Sequence, residues 1–182
     1  MKKLIIVTGA LATGKSTYSR ALSKELNIPV LNKDNIKEAL SDIFGFSSRE
    51  ENLRLSKATY SMMRYFLIEV MKSEKDIILE ANFHQDEIID LESLIDEYDY
   101  DSLFLVLFGN TDTLFERFSN RASENRHKCH LSGPTTLESF KKYIDINNAI
   151  KYKKNHILID ANDFSYQSDP SLKDIINHFM SI

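Results

Sequence analysis

Five short apolar runs divide the 182-residue chain, and each run is continuous rather than alternating. A strand with one face in water alternates apolar and polar residues. Continuous runs of this length therefore indicate strands that are buried on both faces, as in a parallel sheet. The runs are Leu4–Thr8, Pro29–Asn32, Ile77–Glu80, Ser102–Phe108 and His156–Asp160.

Helical patterns separate these runs, and the alternation predicts an α/β fold, a doubly wound sheet of five parallel strands in three layers. No repeat or low-complexity linker interrupts it, so we expect one domain spanning residues 1–182. Such sheets bind ligands beyond the carboxyl ends of their strands, so the residues after each run are candidate site residues. The predicted helices are Lys15–Leu26, Asp34–Phe44, Arg49–Lys72, Gln85–Glu97, Thr111–Glu124, Leu137–Tyr152 and Ser171–Met180.

Composition and charge narrow the function classes. No apolar run approaches the roughly 18 residues that a membrane helix needs, so no membrane partner is expected. The one cysteine, Cys129, cannot form an internal disulfide, and we expect a reducing, cytoplasmic environment. The net charge is −4, yet residues 111–160 carry nine basic and six acidic side chains, so a cleft lined by that segment would favour anions.

The segment GALATGKS follows the first apolar run and fits the phosphate-loop pattern G-x-x-x-x-G-K-[ST]. Glycines let the backbone N–H groups wrap a phosphate chain, and the next helix directs its positive end at the same phosphates. We expect ATP and Mg²⁺ here, with Lys15 on the β/γ-phosphates and the Ser16 hydroxyl on the metal. The predicted nucleotide-binding residues are Gly9, Ala10, Leu11, Ala12, Thr13, Gly14, Lys15, Ser16 and Thr17.

Asp34 follows the second run, within VLNKDNIKEAL. It could cap the next helix, or it could act as the carboxylate that accepts the proton of an attacking hydroxyl, which is the role we favour. Lys37 lies one helical turn later, where it could contact an anionic substrate or simply be solvated. The letters Asn32-Lys33-Asp34 are not the guanine-reading NKxD signature, because no residue separates lysine from aspartate and the strand is wrong.

Three further candidates follow later strands. Glu80 ends the third run, where a carboxylate commonly holds Mg²⁺, although it could instead pair with a lysine. Asn82 could bind substrate or fix the turn. Asn162 follows the fifth run, where the loop commonly borders the adenine, while Asp160 and Asp163 could equally form turns.

Basic residues follow the fourth run and predict a lid over residues 115–135. Arg117 and Arg121 are four residues apart, so they project from one helix face, and Arg126 follows them. Arginine suits the charge that develops on a transferred phosphoryl group, although these side chains could also form a solvated face with neighbouring glutamates. His127, Cys129 and His130 raise a zinc hypothesis, but no second cluster supplies a fourth ligand, so a lid or loop role is preferred.

These motifs together resemble the zeta-toxin and polynucleotide-kinase-like group of P-loop kinases, an AAA-type ATP-binding group. The resemblance runs through GALATGKST, LNKDNIKEAL, IILEANF, the arginine pair and RHxxH at Arg126–His130. It implies an adenylate-kinase-like fold with strand order 2-3-1-4-5. It also implies transfer of the ATP γ-phosphate to a hydroxyl, with Asp34 as general base, Lys37 on a substrate anion, and Arg117 and Arg121 as lid arginines.

The chain departs from the group at two positions. Position 37 is lysine where the nucleic-acid 5′-kinases have arginine, and position 80 is glutamate where many members have aspartate. We expect a kinase of a small hydroxylated molecule. The alternatives are a polynucleotide 5′-hydroxyl kinase and a toxin-like nucleotide-sugar kinase or regulatory NTP-binding module. The oligomeric state is left open.

Overall fold

A computed structural model of the protein describes residues 2–123, 127–130 and 134–182. Five parallel strands form one sheet in the order β2-β3-β1-β4-β5, which confirms the predicted fold class and strand order. The strands are β1 (Lys3–Gly9), β2 (Val30–Asn32), β3 (Ile77–Glu80), β4 (Asp101–Phe108) and β5 (His156–Asp160).

Seven α-helices lie among the described residues, on both faces of the sheet, and two 3-10 turns occur at Lys128–His130 and Ser165–Ser168. The helices are α1 (Lys15–Leu26), α2 (Lys33–Phe44), α3 (Arg49–Lys72), α4 (Gln85–Glu97), α5 (Thr111–Ser123), α6 (Leu137–Asn148) and α7 (Pro170–Ser181). Six of them occupy nearly the predicted segments. No helix in the described part of the chain is both long and apolar enough to cross a membrane.

β1 is the centre of the core because all seven of its residues are buried. Its side chains alternate between the faces, as strand geometry requires. Leu4 and Ile6 join a cluster with residues of α3 and α4, whereas Ile5 and Val7 join one with residues of α1 and α7. The unbroken apolar run of β1 is therefore the sequence signature of a strand covered on both sides.

A third apolar cluster supports the loop that follows β1. Ala10 and Ala12 of that loop pack with Leu114 and Phe118 of α5 and with Phe140 of α6. The α5–α6 pair thus touches the phosphate loop directly, and the small alanine side chains allow this close approach.

The predicted end of the sixth helix at Tyr152 is wrong, because α6 ends at Asn148. The following residues pack instead on the first core cluster, where Ile150 and Tyr152 are partly buried. Gln85 also binds both backbone groups of Lys151, donating to its carbonyl oxygen at 3.1 Å and accepting from its N–H at 2.8 Å. Long-range contacts of this kind override helical periodicity, which is a local signal.

β1 ends against β4 at a glycine that no other residue can replace without strain. Gly9 has φ +116°, and a Cβ built on it would lie 2.1 Å from the carbonyl oxygen of Leu107. That neighbour is backbone within the paired strand, so it cannot move aside.

We expect Gly9→Ala to lower the free energy of unfolding by about 3 kcal/mol, combining backbone strain with overpacking. Denaturant and thermal unfolding measure the loss. Gly45→Ala is the matched control, because Gly45 also has positive φ, +65°, but nothing lies within 4 Å of its added Cβ. Equal losses in the two variants would contradict the assigned contact.

Candidate active site

Hydrogen bonds and close contacts hold the phosphate loop in place. Thr13 donates from its hydroxyl to the carbonyl oxygen of Ala10 at 2.9 Å, and the Tyr166 hydroxyl donates to the Thr13 carbonyl oxygen at 2.8 Å. Gly14 has φ +87°, and a Cβ there would lie 2.8 Å from the Tyr166 hydroxyl and 2.9 Å from the Phe164 ring. The second motif glycine is thus required by the turn around Tyr166 as well as by the loop's own path.

Lys15 is buried within this loop, with 7% of its surface exposed. Its ammonium donates to the carbonyl oxygen of Ala10 at 2.5 Å and lies 3.4 Å from the Thr13 hydroxyl oxygen. Burial lowers the pKa of Lys15 to about 8, although the nearby Glu80 and Asp34 carboxylates act in the opposite direction. The predicted phosphate ligand therefore lies beside the carboxylates of the site.

Glu80 is a buried carboxylate that several polar groups surround. Burial raises its pKa, Lys15 opposes that rise, and the Ser16 hydroxyl hydrogen-bonds to it. The Asn32 amide also donates to Glu80. A serine hydroxyl and a carboxylate in contact are two oxygen ligands of the kind that Mg²⁺ prefers, so these residues fit the expected metal.

Asp34 lies in the first turn of α2, and its side chain is 58% exposed. The helix-cap interpretation of Asp34 is wrong, because the cap is Asn32, whose side chain accepts from the N–H of Asn35 at 2.8 Å. α2 consequently begins at Lys33, one residue earlier than predicted. The Asp34 carboxylate is left free of a capping role and lines a cavity of about 300 Å³ together with Ser16, Thr17, Arg20, Asn32, Asn35, Glu38, Arg121 and His130.

The two arginines of α5 have different surroundings. Arg117 donates to the carbonyl oxygens of Ala161, at 2.6 Å, and Asn162, and its guanidinium stacks 4.0 Å from the centre of the Phe164 ring. Arg121 is exposed and lines the cavity that contains Asp34. It also lines a second cavity on the other side of the loop, so it stands where the two cavities approach one another.

This second cavity, of about 410 Å³, is the candidate nucleotide site, and its walls are Ala12, Gly14, Thr17, Arg117, Asn120, Arg121, Phe164 and Gln167. Asn162, predicted to contact the nucleotide, instead accepts from the N–H of Asn110 at 2.6 Å through its side chain. Asp160 and Asp163 each accept from a backbone N–H two residues later, so they form turns. Sequence reasoning did not identify Phe164 as a residue of the nucleotide site. The signal that could have found it is an aromatic residue directly after ILIDAND, at the end of the fifth run.

Three further polar side chains, those of Lys37, Asn82 and Tyr143, lie in the neighbourhood of Asp34. Lys37 donates to the carbonyl oxygen of Cys129 at 3.3 Å, and burial lowers its pKa while Cys129 and Asp34 act against that. Asn82 hydrogen-bonds to Tyr143, and burial together with Asp34 raises the pKa of Tyr143 to about 12. The Oδ1 atom of Asn82 is buried and has no hydrogen-bond partner among the residues described, which leaves an acceptor atom for a ligand.

The turn at residues 127–130 contacts α2 through its histidines. His127 Nε2 lies 3.0 Å from Asp42 Oδ1, and His130 Nε2 lies 2.9 Å from Glu38 Oε1. His127 Nδ1 also lies 3.0 Å from the Cys129 sulfur. Within residues 2–123, 127–130 and 134–182 no group of three such side chains could hold a metal ion. The predicted lid residue Arg126 lies outside the described residues.

Comparisons with known proteins bear on the family and the fold. A family model described as an AAA domain matches residues 4–143. Among curated proteins none matches the sequence. A protein of Chloroflexus aurantiacus, provisionally assigned as a kinase, is similar at 25% identity and TM-score 0.83, and the match covers 98% of this chain and 97% of that one.

Two more distant solved structures share the fold. Kti12 of Chaetomium thermophilum, in complex with ADP-AlF3, is 18% identical with TM-score 0.60, covering 96% of this chain and 97% of that one. Shikimate kinase from Bacteroides thetaiotaomicron is 18% identical with TM-score 0.55, covering 98% of each chain.

The matched segment extends over more than half of the chain, from β1 into α6. It contains the phosphate loop, Asp34, Glu80 and both arginines of α5. The predicted resemblance to P-loop kinases with the adenylate-kinase-like fold is confirmed by this family and by the neighbouring structures. The chain therefore belongs to the AAA-domain family of P-loop, kinase-like proteins.

Proposed function

We propose that the protein is a kinase that transfers the γ-phosphate of ATP to a hydroxyl group of a small molecule, with Mg²⁺ as cofactor. One observation carries the proposal. The exposed carboxylate of Asp34 lines the same polar cavity as Ser16 of the phosphate loop and Arg121 of α5. A base, a phosphate-binding loop and an exposed cation around one space are the parts that phosphoryl transfer needs.

Each residue has a task in this scheme. Lys15 and the loop N–H groups bind the β- and γ-phosphates. Asp34 accepts the proton of the acceptor hydroxyl and orients that oxygen toward the γ-phosphorus. Arg121 stabilises the charge that spreads over the γ-phosphate oxygens. Bound Mg²⁺, held by Ser16 and Glu80, would neutralise part of the triphosphate charge.

Arg117 has a different task from Arg121 in this proposal. Its guanidinium is held by two carbonyl oxygens and stacks on Phe164. Both groups line the second cavity, beside Gly14. We therefore place the nucleobase on an outer face of this stacked pair, while Arg121 faces the phosphates.

The acceptor side favours a small polar molecule that carries an anionic group. The Lys37 ammonium has no carboxylate within 4.0 Å in the part of the chain that is described, and its hydrogen bond goes to a neutral carbonyl oxygen. The positive charge of Lys37 is therefore available to an anionic group of the acceptor molecule. Asn82 Oδ1 offers an acceptor atom for a second hydroxyl of the same molecule. Shikimate kinase, which shares the fold, is named for a small-molecule acceptor.

A polynucleotide acceptor is less well supported, because three of the nine basic side chains of residues 111–160 already have partners within the protein. Arg117 binds two carbonyl oxygens, Lys142 pairs with Glu138, and Lys154 pairs with Asp96. A toxin-like or regulatory role would use the same nucleotide site, and no described feature beyond that site favours it.

The first test is Asp34→Asn. We expect phosphoryl transfer to fall by roughly 100- to 10,000-fold, the contribution of a general base, with ATP binding unchanged. Transfer is followed as ATP consumption against a panel of hydroxylated metabolites, and ATP binding is followed by calorimetry.

Asp42→Asn is the matched control for this test. Asp42 lies on the same helix and is also exposed, but it lines neither cavity. Full activity in Asp34→Asn would show that another group is the base. An equal loss in both variants would show that the effect comes from α2 rather than from the site.

A second test concerns the nucleobase. We expect Phe164→Ala to raise the Kd for ATP about 5- to 150-fold, because stacking of a base on an aromatic ring is worth about 1–3 kcal/mol. Phe108→Ala is the control, since Phe108 is 39% exposed and Phe164 is 38% exposed, yet Phe108 does not line this cavity. An unchanged Kd in Phe164→Ala would place the base elsewhere.

The third test separates the acceptor classes. A short 5′-hydroxyl oligonucleotide is incubated with labelled ATP at low salt, where charge attraction to a polyanion is strongest. We expect no transfer of label to the oligonucleotide. Transfer that Asp34→Asn abolishes would make the protein a polynucleotide kinase and overturn the small-molecule assignment.

A further inference from the structure

His130 connects the 127–130 turn to the cavity that contains Asp34. Its Nε2 lies 2.9 Å from Oε1 of Glu38, and its Nδ1 lies 4.0 Å from Oδ1 of Asp34. The side chain is 9% exposed, and it lines the cavity together with Ser16 and Arg121. One imidazole thus stands between two carboxylates of α2, one of which is the proposed base.

The Glu38 contact fixes which ring nitrogen carries the proton. An ionised carboxylate only accepts hydrogen bonds, so Nε2 must be the N–H that donates to Glu38. In the neutral ring, Nδ1 then presents its lone pair to the Asp34 side. This is the arrangement in which a histidine can take a proton from a neighbouring acid while a second carboxylate stabilises the resulting imidazolium.

We propose that His130 is a second proton-transfer residue of the kinase reaction, which takes from Asp34 the proton that Asp34 removes from the acceptor. The proposal rests on the function proposed above, because it needs Asp34 to act as the base. The gap of 4.0 Å is about 1 Å longer than a hydrogen bond. Rotation of the exposed Asp34 side chain, or one bridging water, closes it.

The acceptor oxygen forms a bond to the γ-phosphorus, the bond from that phosphorus to the bridging oxygen breaks, and ADP leaves. The hydroxyl proton passes to the Asp34 carboxylate and then to Nδ1 of His130. The imidazolium donates from both nitrogens, to Asp34 and to Glu38, and it releases one proton to solvent when the product departs. Asp34 is again ionised for the next turnover.

Other charged groups around His130 affect this transfer. Asp34, Lys37 and Glu38 face it from α2, and the His127 ring lies with its centre 6.2 Å away in the same turn. Arg20 of α1 and Arg121 of α5 line the same cavity. Among these groups, the carboxylates of Asp34 and Glu38 are nearest to the two ring nitrogens of His130.

The test is the pH dependence of turnover for His130→Gln against His127→Gln. His127 is the matched control, because it belongs to the same turn and also pairs with a carboxylate of α2, Asp42, but it does not line the cavity. Turnover is measured on the full chain with the acceptor found by the panel, and with MgATP alone, where water is the attacking group.

A histidine can accept a proton only when its ring is neutral. Turnover of the wild type should therefore rise with pH as the His130 ring loses its proton. We expect His130→Gln to lower kcat at least tenfold, to abolish this rise, and to leave the KM for ATP unchanged, whereas His127→Gln keeps the rise. Imidazole added to His130→Ala should restore part of kcat, and the same addition to His127→Ala should have no effect.

Three outcomes would overturn the proposal. If turnover of His130→Gln still rose with pH, His130 would only hold the turn against α2. Equal effects of the two glutamine variants would have the same meaning. Absence of rescue in His130→Ala, when that variant still binds ATP, would lead to the same conclusion. No ATP turnover by the wild type would instead count against the proposed kinase function itself, so the two failures are distinguishable.

Discussion

The geometry of the site depends on the two ends of one buried amide, that of Asn32. Its oxygen accepts from the N–H of Asn35 and so begins α2, while its nitrogen donates to Glu80 at the end of the neighbouring strand. β2 and β3 are paired at this point, with Asn32 opposite Glu80. The carboxylate suited to the metal and the helix that carries Asp34 are thereby fixed to one another, and an apolar residue at position 32 would release both.

Because the side chains of Asn32 and Glu80 are both buried, each of them needs hydrogen-bond partners within the protein. Asn32 and Glu80 are 6% and 5% exposed, and a buried polar group without a partner costs about 1–3 kcal/mol. Glu80 accepts hydrogen bonds from Asn32 and Ser16, and its attraction to Lys15 offsets part of the cost of burying its charge. The catalytic edge of the sheet is thus a connected polar network rather than a set of separate side chains.

Sequence alone predicted most of the fold, because its signals are local. Continuous apolar runs fix the strands, and the glycine and lysine spacing of residues 9–16 fixes the loop that follows β1. The positions of Asp34 and Glu80 follow from the rule that parallel strands end at one edge. The errors come from contacts between distant residues. α6 ends early because Gln85 binds Lys151, and α2 is capped by Asn32 because Glu80 orients that side chain.

Other features of the site had no local signal at all. Spacing places Arg117 and Arg121 on one helix face, but only the position of β5 makes Arg117 bind two carbonyl oxygens while Arg121 remains exposed. Phe164 adopts φ +61°, which its sequence neighbours do not indicate. The contact between His130 and Glu38 joins residues 92 positions apart.

The hydrogen bond from Lys15 to the Ala10 carbonyl oxygen has a consequence for the kinase reaction proposed above. Because the Lys15 ammonium donates to the Ala10 carbonyl oxygen, phosphates that bind this lysine must displace an internal hydrogen bond, and part of their binding energy is spent in doing so. When the γ-phosphate departs, the same carbonyl oxygen can take the ammonium back. The loop therefore competes with ADP for its own lysine, which weakens retention of the product and favours its release.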